Sequence, residues 1–526
     1  MIASVNDTIF IQTIKRWPRC IDERKLRPLM SYLDLLLRLH PYAYPVIGLS
    51  LILLYFIAAQ WFSLLRRLPY PPGPPERFLT RNTGNMPHSK ACVAFTEWGK
   101  KYGGISHFRI FNKHTIILNT QEDCANLLEK RSNIYSDRPS SAMLDLMGWT
   151  TFNAGFMHYN SRWRSHRRIF QQYFRPNASL NYRPIQTRKV NDLLYSLLTT
   201  PEDFMEHCRT LPAAVIMAIT YDHDVSPKDD HFVNLADAAN QRLSASVFPG
   251  ASLLNAIPIL RFTPSWFPGA RFKRFGSESR KMVYEMRDVP LASVEDKMKE
   301  GKAPNCILAE LLQGHKSQEE YEAAAGVAAT AYAAGADTTV STLGTFFYSM
   351  GSERLANFDD RASMPYIEAM HREVLRWRPV LPLGLPHAAT SSDIYNGFYI
   401  PKGATVIGNI WAITHDPVKY PEPDVFNPDR FFRENGELND DKVDAVFGFG
   451  RRICPGQHLA SATLWLAIAT ILQNFDISKK VDSSGKEIPI SGEYTDGMIS
   501  HPLPFECSIT PRTSMANKII SDAVKS

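Results

Sequence analysis

FGFGRRICPG, residues 447–456, places three glycines, two arginines and one cysteine in ten positions. Gly448, Gly450 and Gly456 let the backbone turn tightly and approach a flat ligand where a Cβ would clash. Pro455 follows Cys454, and a helical run over residues 457–472 starts at once. The thiol therefore sits near a helix N-terminus, where partial positive charge favours the thiolate. Arg451 and Arg452 add further positive charge. The other cysteines, Cys20, Cys92, Cys124, Cys208, Cys306 and Cys507, are scattered with no C-x-x-C spacing. They form neither a disulfide framework nor a zinc ribbon, fit a reducing compartment, and read as ordinary thiols.

Upstream, residues 320–350 form an Ala-rich stretch that is apolar on every side, which predicts a helix through the middle of a domain. AGADTT, residues 334–339, interrupts it with an acid and two alcohols. A mid-helix glycine and a threonine that bonds back to an upstream carbonyl both loosen a helix locally. Glu373 and Arg376 lie three apart on a predicted helix over 364–377 and share its face. Alone, such a pair is usually a surface ion pair of little worth. Trp163 and Arg167 read as part of a basic helix face, and His387 as a loop histidine.

Together these motifs resemble the cytochrome P-450 family. F-x-x-G-x-R-x-C-x-G is complete, A-G-x-D-T-T matches the family's oxygen-activation site, and Glu373-x-x-Arg376 is followed by FNPDRF at 426–431. The resemblance implies haem b with Cys454 as its axial thiolate ligand, whose electron push favours O–O cleavage. It implies Arg452 paired with a haem propionate, Phe447 beside the ring, and Gly450 and Gly456 in the haem loop. Thr338 and Asp337 would supply protons, and Glu373, Arg376 and Arg430 would form a buried structural triad. Trp163, Arg167 and His387 would be further propionate partners. The resemblance spans roughly residues 71–512 and is nearest to members from mushroom-forming fungi.

Residues 46–65, VIGLSLILLYFIAAQWFSLL, carry no charge and at 1.5 Å per residue span roughly 30 Å, a bilayer's hydrocarbon core. Arg66, Arg67, Arg77 and Arg81 on one flank outnumber Arg27 and Arg38 on the other, which puts the C-terminal part in the cytoplasm. More distant basic residues between Lys15 and Lys25 pull the other way. The expected organisation is an N-terminal extension (1–41), a transmembrane anchor (42–67), a Pro-rich stiff hinge (68–75) and one catalytic domain (76–526). That domain reads as mainly α with a minor β part: a hairpin from 107–111 and 115–119, mostly helix over 121–350, and strand pieces at 395–399 and 405–409. A net charge of +6 without a dense basic run argues against a nucleic-acid partner.

The implied activity is a monooxygenase on the endoplasmic reticulum membrane. It would oxidise a lipophilic small molecule, such as a terpenoid or another fungal secondary metabolite, with electrons from NADPH-cytochrome P-450 reductase. Arg164, Arg168 and Arg451 would meet acidic groups of that reductase, while Met147, Trp149, Phe156, Leu381, Leu383 and Met498 would line the substrate pocket. Thr338 and Glu373 are only 35 residues apart, where relatives place further helices, so a helix-sized piece near 350–360 is expected to be missing. The rival readings are an inactive or poorly active membrane haem protein, and an isomerase or dehydratase of the same fold.

Overall fold

The computed structural model describes residues 68–524 except 78–80, 88, 248–253, 255–256, 265, 268–269 and 348–357, together with residues 48, 50–52 and 54–55. The chain divides into two units, Met1–Pro69 and Tyr70–Ser526. The expected anchor lies mostly outside the described residues. Those of it that are described are helical, and among the described residues no helix is long and apolar enough to cross a membrane.

The second unit is mainly α with a minor β part, as expected. Its helices of twelve or more residues are α1 (Ala91–Tyr102), α2 (Ser161–Phe174), α3 (Arg183–Thr199), α4 (Phe204–Tyr221), α5 (His231–Val247), α6 (Arg271–Lys299), α7 (Gln318–Phe346), α8 (Pro365–Trp377) and α9 (Gln457–Asn474). The strands are β1 (Ile105–Ile110), β2 (Lys113–Leu118), β3 (His387–Ala388), β4 (Asp393–Tyr395), β5 (Phe398–Ile400), β6 (Thr405–Gly408), β7 (Phe475–Lys479) and β8 (Cys507–Pro511). One sheet runs β1-β2-β6-β3; β4-β5 and β7-β8 form separate pairs. In the predicted hairpin Phe108 faces Thr115.

The helix α7 shows why this sequence builds its own axis. Ser317 caps its start by accepting from the Glu320 N–H, and Glu319 and Glu320 occupy the positive first turn. Its alanines lose no side-chain rotamer freedom, and nearly every face from Ala323 to Phe346 is buried. The α4 and α9 helices are similarly greasy, with Trp465 fully buried. AGADTT does not break α7, which stays helical through it; the loosening expected there reduces to one threonine back-bond.

Two other expectations change. Residues 395–399 form no strand of their own: Asn396 and Gly397 have φ of 50° and 79°, making the two-residue turn of a β4-β5 hairpin. The Pro-rich hinge is no free spacer in its second half, because Pro72 O accepts from His107 N at 2.9 Å. Pro74 O accepts from the Asn82 amide at 2.9 Å. A Cβ on Gly73 would stand 1.8 Å from His107 O, so only glycine allows this docking. The suspected short connection lies partly outside the described residues; a 3₁₀ turn, Phe358–Ser363, leads directly into α8.

Candidate functional site

The Cys loop is a closed turn. Cys454 N donates to Phe447 O at 2.8 Å. Gly448 and Gly450 have φ of 83° and 59°, and a Cβ on Gly450 would lie 2.1 Å from Leu128 O. Gly456 differs, with φ −88° and open space where its Cβ would point. It borders a cavity.

The surroundings of the Cys454 thiol act on it in both directions. Burial pushes the Cys454 thiol up; the N–H groups of Gly456 and Gln457 and the Arg167 guanidinium pull it down without winning. The helix-end N–H groups thus act on the thiol in the direction that favours the thiolate. Arg451 is exposed and donates to the Tyr159 hydroxyl at 2.7 Å, and Arg452 turns elsewhere. A metal cation on the sulfur would supply the missing charge, since a coordinating thiol is deprotonated outright.

Arg452 donates to Ser136 O, Ala154 O and Met157 O at 2.8, 3.0 and 2.8 Å, and its guanidinium lies 4.2 Å from the Trp163 ring centroid. Arg138 is 6% exposed and donates to Gly155 O, Leu385 O and Pro386 O. Arg138, Arg167 and Arg452 all border the same cavity, as does His387. Burial together with the Arg138 and Arg167 charges holds the Arg452 guanidinium down at about 8, with Asp137 opposing. Burial likewise holds His387 down at about 3, and its Nδ1 sits 2.7 Å from Tyr135 O, leaving Nε2 as the free nitrogen. One buried and two half-buried guanidinia against one nearby carboxylate make an unbalanced site, costly until an anion joins it. A haem fits this donor set: one soft anionic sulfur for iron and one cationic end for its two propionates. Trp163 Nε1 donates to Ala154 O at 3.1 Å, the carbonyl that Arg452 also uses.

Opposite Cys454 the cavity, about 350 Å³, is bordered by Ala333, Ala334, Gly335, Thr338, Thr339 and Thr342 of α7. Thr338 Oγ1 donates back to Ala334 O at 2.9 Å. The expected acid–alcohol pair is split. Asp337 does not border the cavity; its carboxylate lies 3.1 Å from His501 Nε2. Of the six expected pocket residues, Trp149, Phe156, Leu381 and Met498 border the cavity. Met147 is core, and Leu383 packs against a satellite cluster. Sequence reasoning missed Arg138, Asn153 and Asn240. The only signal for Arg138 was its place in Asp137-Arg138-Pro139; the two asparagines gave none.

Glu373, Arg376 and Arg430 do come together. Arg376 Nε and Nη2 donate to Glu373 at 2.6 and 2.7 Å, Arg430 Nε at 3.3 Å, and the Asn427 N–H at 2.8 Å. Glu373 and Arg376 have no exposed side-chain surface. Among the described residues no cluster of three His, Cys, Asp or Glu could hold a metal ion.

The model of the cytochrome P-450 family matches residues 71–508. A cytochrome P-450 monooxygenase of Armillaria gallica is 38% identical, over 89% of this chain and 97% of its own length. One of Coprinopsis cinerea is 36% identical over 87% and 92%, and one of Ampulloclitocybe clavipes 34% identical over 90% and 92%. The Armillaria alignment has 496 positions but falls on 89% of 526 residues, so that relative carries residues with no counterpart here.

Proposed function

This chain belongs to the cytochrome P-450 family and is a monooxygenase of that family, and we propose that it oxidises a lipophilic small molecule with O2 and electrons from NADPH-cytochrome P-450 reductase. The observation that carries the reading is a single apolar-walled cavity bordered both by half-buried Cys454 and by Thr338. The family's cofactor is haem with cysteine thiolate ligation; when bound, it activates O2 for insertion into a C–H bond. Cys454 would be its ligand, and Arg138, Arg167, Arg452 and His387 would hold its propionates. Phe447 would pack beside it, and Gly450 and Gly456 would keep the haem loop clear. Thr338 would position a proton at the oxygen side. Trp149, Phe156, Leu381 and Met498 exclude water and favour an apolar substrate, such as a terpenoid or another secondary metabolite.

Electrons would arrive on the side of the exposed arginines Arg164, Arg168 and Arg451; the first and last flank the Tyr159 ring. Residues 42–67 would anchor the domain in the endoplasmic reticulum membrane, with the catalytic part in the cytoplasm. After a carbonate wash, microsomes should retain the protein, which should consume NADPH only with reductase present. Thr338→Ala should keep haem, because alanine is the better helix former. It should divert electrons to hydrogen peroxide, lowering coupled turnover about tenfold or more. Unchanged coupling would remove Thr338 from the mechanism. Product formation from a peroxide substrate without NADPH would favour an isomerase or dehydratase instead.

The short connection supports a second reading, a poorly active form. Relatives carry residues that have no counterpart here, and α7 and α8 are joined through residues 347–364 alone. Inserting a family-like helical segment between Met350 and Gly351 should raise haem incorporation and NADPH turnover. Equal activity of both forms would show the segment to be dispensable.

A further inference from the structure

Inserting one atom of O2 into substrate and reducing the other to water takes two electrons and two protons. The reductase brings the electrons; the protons must cross α7 to a cavity with almost no titratable walls on the α7 side. Asp337 is the one acid in the α7 motif, yet it faces away from that cavity, toward His501 at 3.1 Å.

His501 belongs to a segment built into the cavity wall. Met498 and Ile499 border the cavity. Ser500 N donates to Val380 O at 2.9 Å, and Ser500 O accepts from the Ser341 hydroxyl of α7. His501 itself is tied at both backbone groups to Thr495, donating to Oγ1 at 2.9 Å and accepting from its N–H at 2.8 Å. Its ring is thus placed against α7 by a fixed backbone rather than by a loose tail.

Further charged groups face this pair from two other helices. Asp237 of α5 lies within electrostatic reach of both Asp337 and His501. Burial pushes the Asp237 carboxyl up to about 6; Arg209 and His501 oppose the rise, and Asp337 and Glu206 add to it. Arg209 of α4 stands 4.0 Å from Asp237, and both Arg209 and Glu206 are exposed. Half-buried Asp337, His501 and Asp237 therefore lie between a charged surface and the cavity-facing Thr338.

We propose that His501 is a positioning residue for proton delivery, holding the Asp337 carboxylate on the outer flank of α7 and linking it through Asp237 to the surface at Glu206 and Arg209. His501 Nε2, 3.1 Å from Asp337 Oδ1, fixes where that carboxylate waits for a proton arriving from the Asp237 side. At rest the Asp337 carboxyl faces away from the cavity, so to give that proton to the Thr338 side its side chain must swing across the α7 flank before it returns to His501 as carboxylate. The proposal rests on the monooxygenase reading.

The test uses full-length protein with reductase and NADPH and no added substrate, measuring hydrogen peroxide formed per NADPH between pH 6 and 8.5. His501→Gln should slow proton-dependent NADPH oxidation about tenfold, less than loss of a general acid itself. It should raise the peroxide fraction and flatten the pH profile. Asp237→Asn should move the same readouts in the same direction, and both variants should keep the reduced-CO spectrum. A second measurement needs no turnover: in a thermal double-mutant cycle, His501→Gln and Asp337→Asn should be non-additive, as their 3.1 Å contact requires. Additive midpoints, or an unmoved pH profile where Thr338→Ala still uncouples, overturn the proposal. If wild-type protein consumes no NADPH with reductase, the monooxygenase reading fails first, and that outcome is distinct from both.

Discussion

Cys454→Ser should abolish the red-shifted Soret band of the reduced CO complex, while Cys92→Ser and Cys507→Ser leave it intact. The three thiols differ in surroundings rather than in type. Burial pushes Cys92 up to about 11 and Cys507 up to about 12, and neither borders the cavity with Thr338. Cys454 borders it, with two backbone N–H groups and Arg167 already favouring the ionised form. A cation at its sulfur then tips the balance. A serine hydroxyl in the same place has the N–H partners but not the soft, readily ionised donor that iron–thiolate bonding uses. The expected loss is complete, and the other two variants control for general damage. A thiolate spectrum surviving in Cys454→Ser would remove the assignment on which the site rests. Haem lost altogether from Cys454→Ser, with the thermal midpoint of the apoprotein unchanged, would agree with it.

What the sequence made legible follows from the range of each interaction. The Cys loop, α9 and α8 could be read because capping, glycine placement and i,i+3 spacing are local. The triad could be read only as a resemblance: Arg430 is 57 positions from Glu373, and no local rule reports that contact. The Asn396–Gly397 turn was local and legible as a hairpin signal, yet it was read as continuous strand. Arg138 and the Asp337–His501 contact were invisible for the opposite reason. Arg138 meets carbonyls nearly 250 positions away, and His501 reaches α7 from a segment whose only local signature is two prolines. The direction of Asp337 also escaped, because adjacent positions on a helix point about 100° apart; an acid next to a cavity-facing threonine need not face the cavity.

Glu373→Ala should leave little or no folded, haem-loaded protein at growth temperature. Glu373 accepts four hydrogen bonds while wholly enclosed. Its removal strands the Arg376 guanidinium, which also has no exposed surface, and most of Arg430, 8% exposed. Breaking a buried pair from one side costs about 3–5 kcal/mol, a large part of the roughly 5–15 kcal/mol that holds a domain together. Glu373→Gln should also fail in large part, because its amide NH2 would point a donor at donors. Removing both charges with Glu373→Leu and Arg376→Met should recover only some stability. Arg376 also donates to Thr414 O and Pro423 O at 3.1 and 2.7 Å, and those carbonyls would lose their partner. The control is Glu487→Ala, which breaks an ion pair with Lys479 whose partners are 54% and 65% exposed; it should shift stability by no more than about 0.5 kcal/mol. Urea midpoints and CO-spectrum yield for the four variants decide the matter. A wild-type midpoint for Glu373→Ala would mean that the triad is not what fixes α8 to the 426–431 segment.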